Sequence, residues 1–235
     1  MPRYLTEAIG TFFLVLAVGL ARGPLAPVAI GSVLMAMVYM GGHVSGAHYN
    51  PAVSLAIFLR GKLKGVDLLP YILAQLAGAA LAAGVVRAIG LEGFMPGPNP
   101  GAETWVVLAI EALFTFALAL VVLNVATTRA TQDNSYFGLA IGFTVAGAAA
   151  VAGPISGGVF NPAVGLGPAL VQVLAGGDIA HVWLYVVAPV AGAAVAALAF
   201  KAQHLGTNEL AGPPVPPAVE RAIKPPTPAG PTSRP

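Results

Sequence analysis

Asn50-Pro51-Ala52 and Asn161-Pro162-Ala163 stand 111 residues apart in a chain of 235 residues. Asparagine is a strong helix N-cap. Proline lacks an N–H and fixes φ, which suits the first position of a helix. Each triplet therefore reads as a capped helix start. An asparagine side chain also donates through its NH2 group. Two copies brought together, Asn50 and Asn161, can hold the oxygen of a small solute. Backbone carbonyls around Gly46, Ala47 and His48, and around Gly157, Gly158 and Val159, would supply acceptors beside them. Competing chemistries are poorly supplied. The chain has no cysteine, which excludes disulfides, Cys-based zinc sites, iron–sulfur clusters and a Cys nucleophile. Ser45 and Ser156 raise an intramembrane serine protease, but both lack a glycine two residues earlier, and their duplication argues for loop structure. His43 and His48 lack a third ligand for a metal.

These residues sit in a chain that is 57% hydrophobic and only 9% charged. Soluble domains carry about 25% charged residues, so an ordinary soluble enzyme is excluded. Disorder as the main state needs the opposite composition. A net charge of +2, from 11 basic residues spread thinly, also speaks against nucleic-acid binding. What remains is an integral membrane protein. No charged residue lies between Arg22 and Arg60 or between Asp133 and Asp178. Each gap is long enough for one span of roughly 20 residues and about half of another. Six spans are expected near 5–22, 27–44, 66–89, 104–127, 135–153 and 180–201. Trp105 and Trp183 fall near span ends, as interface anchors do. With the N-terminus inside, nine basic residues face the cytoplasm and only Arg22 and Arg87 face out. That sorting places both termini in the cytoplasm of a cell (plasma or inner) membrane.

The two triplets belong to a repeat. Ser45-Gly46-Ala47-His48-Tyr49-Asn50-Pro51-Ala52-Val53 returns as Ser156-Gly157-Gly158-Val159-Phe160-Asn161-Pro162-Ala163-Val164. Glu7-Ala8-Ile9-Gly10-Thr11-Phe12 is echoed by Glu111-Ala112-Leu113-Phe114-Thr115-Phe116, and Leu76-Ala77-Gly78 by Val190-Ala191-Gly192. Each half holds three spans, an odd number, so the halves are inverted, which is a transport architecture. From Pro51 to Leu59 a helix is about 14 Å long, roughly half a bilayer core. The second copy, from Pro162 to about Val171, is similar. The Gly-rich stretches before them read as re-entrant loops, tolerated only inside protein or along a wet cavity. Inversion brings the two positive helix ends together at the midplane, where they oppose a cation. The expected fold is an all-α membrane protein with six transmembrane helices and two re-entrant half-helices. A channel domain over 1–205 (repeat one about 4–90, repeat two about 103–202) precedes a Pro-rich cytoplasmic tail, 206–235, read as disordered. A polyproline ligand is the alternative for that tail. His43 reads as a wall or gate on the cytoplasmic side of a pore, and His48 as a brace of the loop. Glu7 and Glu111, inside spans, read either as a proton relay or as structural acceptors for loop N–H groups. The repeat favours the second role.

The segment Gly42-His43-Val44-Ser45-Gly46-Ala47-His48-Tyr49-Asn50-Pro51-Ala52-Val53 resembles the first signature of the aquaporin (major intrinsic protein) family. Val159-Phe160-Asn161-Pro162-Ala163 resembles the second. The resemblance covers about residues 4–201. It implies a homotetramer with one pore per subunit and passive conduction of water and small neutral solutes, with no cofactor, no metal and no coupling ion. It also implies an outer constriction, the selectivity filter, at Ile30, Ala149, Gly158 and Val164. Water-selective members carry Phe, His, a small residue and Arg there. All four positions are apolar in this chain, and Val164 takes the place of the Arg, a trait similar to plant vacuolar intrinsic proteins. A wider range is implied: ammonia, urea, hydrogen peroxide or small polyols. Gly165 and Ala169 depart from the glycerol-channel pattern. The alternatives are a structural or junctional membrane protein with a degraded pore, and an ion-leaky channel.

Overall fold

The computed structural model describes residues 1–91 and 94–207, and residues 1–203 form one unit. Most of the expected tail, from residue 208 onward, lies outside the described residues. Six helices are long and apolar enough to cross a membrane: α1 (Pro2–Leu20), α2 (Ala26–Ser45), α4 (Gly65–Ala88), α5 (Thr104–Thr127), α6 (Phe137–Ser156) and α8 (Leu184–Gln203). Their 19 to 24 residues match the roughly 20 that a bilayer core requires. Two shorter helices, α3 (Pro51–Leu59) and α7 (Pro162–Leu174), follow the two Asn residues. Among the described residues there is no strand.

Lipid tails are as apolar as leucine, so helices in a membrane associate through close packing at small residues. The repeat supplies such residues at matched places. A Cβ on Gly78 of α4 would fall 2.1 Å from the Ala8 carbonyl oxygen of α1. A Cβ on Gly192 of α8 would fall 2.2 Å from that of Ala112 in α5. Gly31 of α2 and Gly142 of α6 likewise leave no room for a side chain. The pairs α1–α4, α5–α8 and α2–α6 are thereby clamped, the first two within each repeat and the third between repeats. The half-helices cross over, with α3 packing on α8 and α7 on α4.

Several boundaries differ from those expected. α6 runs through Pro154 to Ser156, because its end is set by Gly157 (φ 92°), whose N–H bonds to the Gly153 carbonyl. α2 ends in the same way at Gly46 (φ 87°). α7 reaches Leu174, three residues further than expected. α8 starts at Leu184, because Asp178 accepts from the Ala180 N–H in a tight turn that occupies the approach. Trp105 and Trp183 are exposed near helix starts.

Candidate pore

Both re-entrant segments are built the same way. After the glycine that ends α2 or α6, the chain turns back and delivers Asn50 or Asn161 in extended conformation (φ −156° and −153°). Asn50 Oδ1 accepts from the Ala52 N–H at 2.8 Å, and Asn161 Oδ1 from the Ala163 N–H at 2.9 Å. These are N-caps, and they orient the amides. The residues just before, Tyr49 and Phe160, both adopt left-handed backbone (φ 50°). That conformation costs an L-residue roughly 1–2 kcal/mol, so something must hold it.

Two buried carboxylates do so. Glu7 of α1 accepts from the Ser45 hydroxyl (2.7 Å), the His48 N–H (2.9 Å) and the Tyr49 N–H (2.7 Å). Glu111 of α5 accepts from the Ser156 hydroxyl (2.7 Å), the Val159 N–H (2.9 Å) and the Phe160 N–H (2.6 Å). Both carboxylates are 0% exposed. Lipid offers no acceptors for loop N–H groups, and these carboxylates supply them. The Tyr71 hydroxyl of α4 donates to the Ser45 carbonyl at 2.7 Å, and its counterpart Tyr185 of α8 donates to the Ser156 carbonyl at 2.6 Å. Reading the sequence missed these tyrosines, although they share the spacing that relates Gly78 to Gly192.

The half-helices meet through a reciprocal pair of bonds. Asn50 Nδ2 donates to the Phe160 carbonyl and Asn161 Nδ2 to the Tyr49 carbonyl, each at 2.9 Å. Each NH2 group has two hydrogens. One ties the two loops together. The asparagines are thus cap and clip at once, a double role that spacing alone did not reveal.

A cavity of about 150 Å³ contains this junction, with Asn50, Asn161, Ala47, His48, Gly157, Gly158 and Val159 on its wall. Ile30, Ala149, Gly158 and Val164, the positions that the family resemblance assigns to a filter, all line the same cavity. A Cβ on Gly158 would lie 3.4 Å from the Ala149 Cα, which makes these two positions near neighbours. Among the described residues no Asp, Glu, Lys or Arg lines this cavity. Pro51, Ala52, Pro162 and Ala163 are buried behind it in the first turns of α3 and α7. A second cavity of about 640 Å³ opens towards a face with more basic than acidic groups, with Arg3, Lys62, Lys64 and Arg129 on its wall along with Asp67, Asp133 and Gly46. His48 and Ile141 line both cavities, so these two side chains stand between them. His43, read from the sequence as the pore wall on that side, is exposed in the last turn of α2 and lines neither cavity. The left-handed turn at Gly46 reverses the chain, so His48, two residues later, lines the cavity instead. Among the described residues no group of three His, Asp or Glu could hold a metal ion.

Comparison with known proteins agrees with this geometry. The family model "Major intrinsic protein" matches residues 2–200. Aquaporin NIP1-1 of Zea mays is 39% identical over 85% of this chain and 74% of its own length. Glycerol uptake facilitator protein-like 6 of Lactiplantibacillus plantarum is 36% identical over 89% of this chain and all of its own length. Nodulin-26 of Glycine max is 33% identical over 82% of this chain and 74% of its own. None of the three is named a vacuolar protein, and one carries a glycerol name although Gly165 and Ala169 depart from that pattern. The crystal structure of the aquaglyceroporin from Plasmodium falciparum shares the fold, with a TM-score of 0.77 over 87% of this chain and 96% of that one, at 22% identity. With paired capped half-helices, an inverted repeat and a family match across the whole bundle, the chain belongs to the major intrinsic protein family.

Proposed function

We propose that the protein is a passive channel for water and small neutral solutes, with ammonia, urea, hydrogen peroxide and small polyols within its range. It is not an enzyme. The observation that carries this reading is the meeting of Asn50 and Asn161, clipped to each other's loops, in a cavity on whose wall, among the described residues, no charged side chain stands. Each asparagine keeps one amide hydrogen for a solute oxygen. The carbonyls of residues 46–48 and 157–159 offer acceptors on either side. The positive ends of α3 and α7 oppose cations at the same point.

The filter sets the range. Ile30, Ala149, Gly158 and Val164 offer neither a donor nor a charge, so a solute is screened there by size and by its cost of dehydration. That favours passage of solutes wider than water. The same vacancy favours a second reading, an ion-leaky channel, because no cation stands at position 164. The helix dipoles remain as the barrier in either case. The basic face is read as cytoplasmic from its excess of Arg and Lys, in a plasma or inner membrane. Residues 1–205 are read as the channel domain. A homotetramer, with one pore per subunit, is what family membership implies.

The test is osmotic shrinkage of proteoliposomes in stopped flow, run with water alone and then with urea, ammonia and glycerol gradients. The proposal requires water permeability well above protein-free vesicles and uptake of at least one neutral solute. Vesicles indistinguishable from empty ones would leave only a structural role. A large cation current in planar bilayers would establish the leaky reading.

A further inference from the structure

The two halves of the molecule differ around their carboxylates. Glu7 receives a fourth donor, Gln75 Nε2 at 2.8 Å, which Glu111 lacks. Where the first repeat has His48, Ser54 and Gln75, the second has Val159, Gly165 and Pro189. The second loop is held in the same shape without these polar groups, so the fold alone does not account for them.

Their hydrogen-bond roles follow in sequence from Glu7, with Gln75 Oε1 left buried and without a partner among the described residues. A carboxylate offers only acceptors, so the Gln75 nitrogen, not its oxygen, faces Glu7. The second N–H of that nitrogen reaches Ser54 Oγ at 2.9 Å. Ser54 is fully buried, and among the described residues its hydroxyl proton has one acceptor in reach, His48 Nδ1 at 3.0 Å. A buried hydroxyl left without an acceptor is unfavourable by about 1–3 kcal/mol. Nδ1 is therefore the accepting nitrogen, and a neutral imidazole then carries its proton on Nε2. His48 keeps 7% exposure and lines both cavities.

We propose that the chain Glu7–Gln75–Ser54 locks His48 in the Nε2–H tautomer, which makes it a fixed hydrogen-bond donor facing the passage on the basic-face side of the paired asparagines. The chemistry it selects follows from that proton. Water, urea, hydroxyl solutes and ammonia each bring a lone pair to it. Ammonium, with four N–H donors and no acceptor, meets a like group. Part of the discrimination lost with a cation at position 164 is thereby supplied by a neutral donor elsewhere in the pore. The selectivity consequence rests on the channel reading above. The tautomer does not.

The experiment is solid-state NMR of the full chain in lipid bilayers with ¹⁵N-labelled histidine, in a His43→Gln, His181→Gln, His204→Gln background that leaves His48 as the single signal. The expected spectrum at neutral pH is one Nε2-protonated tautomer. Ser54→Ala is expected to add a second, Nδ1-protonated population, and to raise the ratio of ammonium flux to water flux in proteoliposomes. An Nδ1-protonated or mixed ring with Ser54 in place overturns the proposal, as does a Ser54→Ala protein that keeps the single tautomer. If that variant fails to assemble, the spectrum with Ser54 present decides alone. A locked tautomer in a protein that conducts no water would count against the channel reading and leave the lock standing.

Discussion

Replacing Glu7 or Glu111 by glutamine separates the structural account of these carboxylates from a proton relay. In Glu111→Gln the new carbonyl can still serve Ser156 and Val159, which share one oxygen at 2.7 and 2.9 Å. The new NH2 then faces the Phe160 N–H at the place where that group donates at 2.6 Å. One charge-assisted bond is lost and a backbone donor is stranded at a left-handed residue. A hydrogen bond to a charged group contributes about 1.5–3 kcal/mol, so at least that much stability should go. Glu7→Gln strands the Tyr49 N–H in the same way and also sets the new amide against Gln75 Nε2. Gln75 must then turn its amide over or lose its bond. Glu7→Gln should therefore destabilise at least as much as Glu111→Gln. Against a total of about 5–15 kcal/mol, either loss is large. Thermal unfolding of the purified protein in detergent, followed by loss of monodisperse protein, reads the effect as a lowered midpoint. Surviving protein should conduct with the pH dependence of the unmodified chain. Glutamine variants of unchanged thermal midpoint but altered pH dependence would refute the structural assignment in favour of a relay.

Two further substitutions probe the frame around the asparagines. Asn161→Ala removes the cap on α7 and the bond to the Tyr49 carbonyl, a combined loss of about 2–4 kcal/mol; thermal midpoint and water permeability should fall together, and an unchanged midpoint would contradict the clip. Gly78→Val places a side chain where even a Cβ would lie 2.1 Å from the Ala8 carbonyl oxygen. The yield of membrane-inserted protein should collapse, whereas the same change at Gly84, which has nothing within 4 Å, should leave it intact.

Local chemistry made the half-helices legible in the sequence. A cap and an N1 proline act within four residues, so Pro51 and Pro162 could be named as helix starts without knowing the packing. The inverted arrangement followed from counting spans in each repeat. What stayed hidden depends on the partner half. The bonds from Asn50 to the Phe160 carbonyl and from Asn161 to the Tyr49 carbonyl join residues more than 100 positions apart. Gln75 carries no pattern of its own, since one polar residue on a long apolar helix acquires a role only when Glu7 is known to face it. The exchange of His43 for His48 on the passage wall has a similar origin. Which histidine faces inward is decided by the reversal at Gly46, and glycine is frequent in this region of the chain. The expected span stopped near residue 153, but the last turn of α6 includes Pro154, and the stop comes from the left-handed Gly157.

The central claim is that water and neutral solutes pass through a filter made wide and uncharged by Val164. Stopped-flow light scattering on matched proteoliposomes of the unmodified chain and of Val164→Arg, comparing glycerol and urea uptake with water permeability, tests it most directly. The account predicts that the arginine side chain narrows the passage among Ile30, Ala149 and Gly158, so the solute-to-water ratio falls while water still passes. Equal ratios in the two proteins, or no water permeability above protein-free vesicles in the unmodified chain, would contradict it.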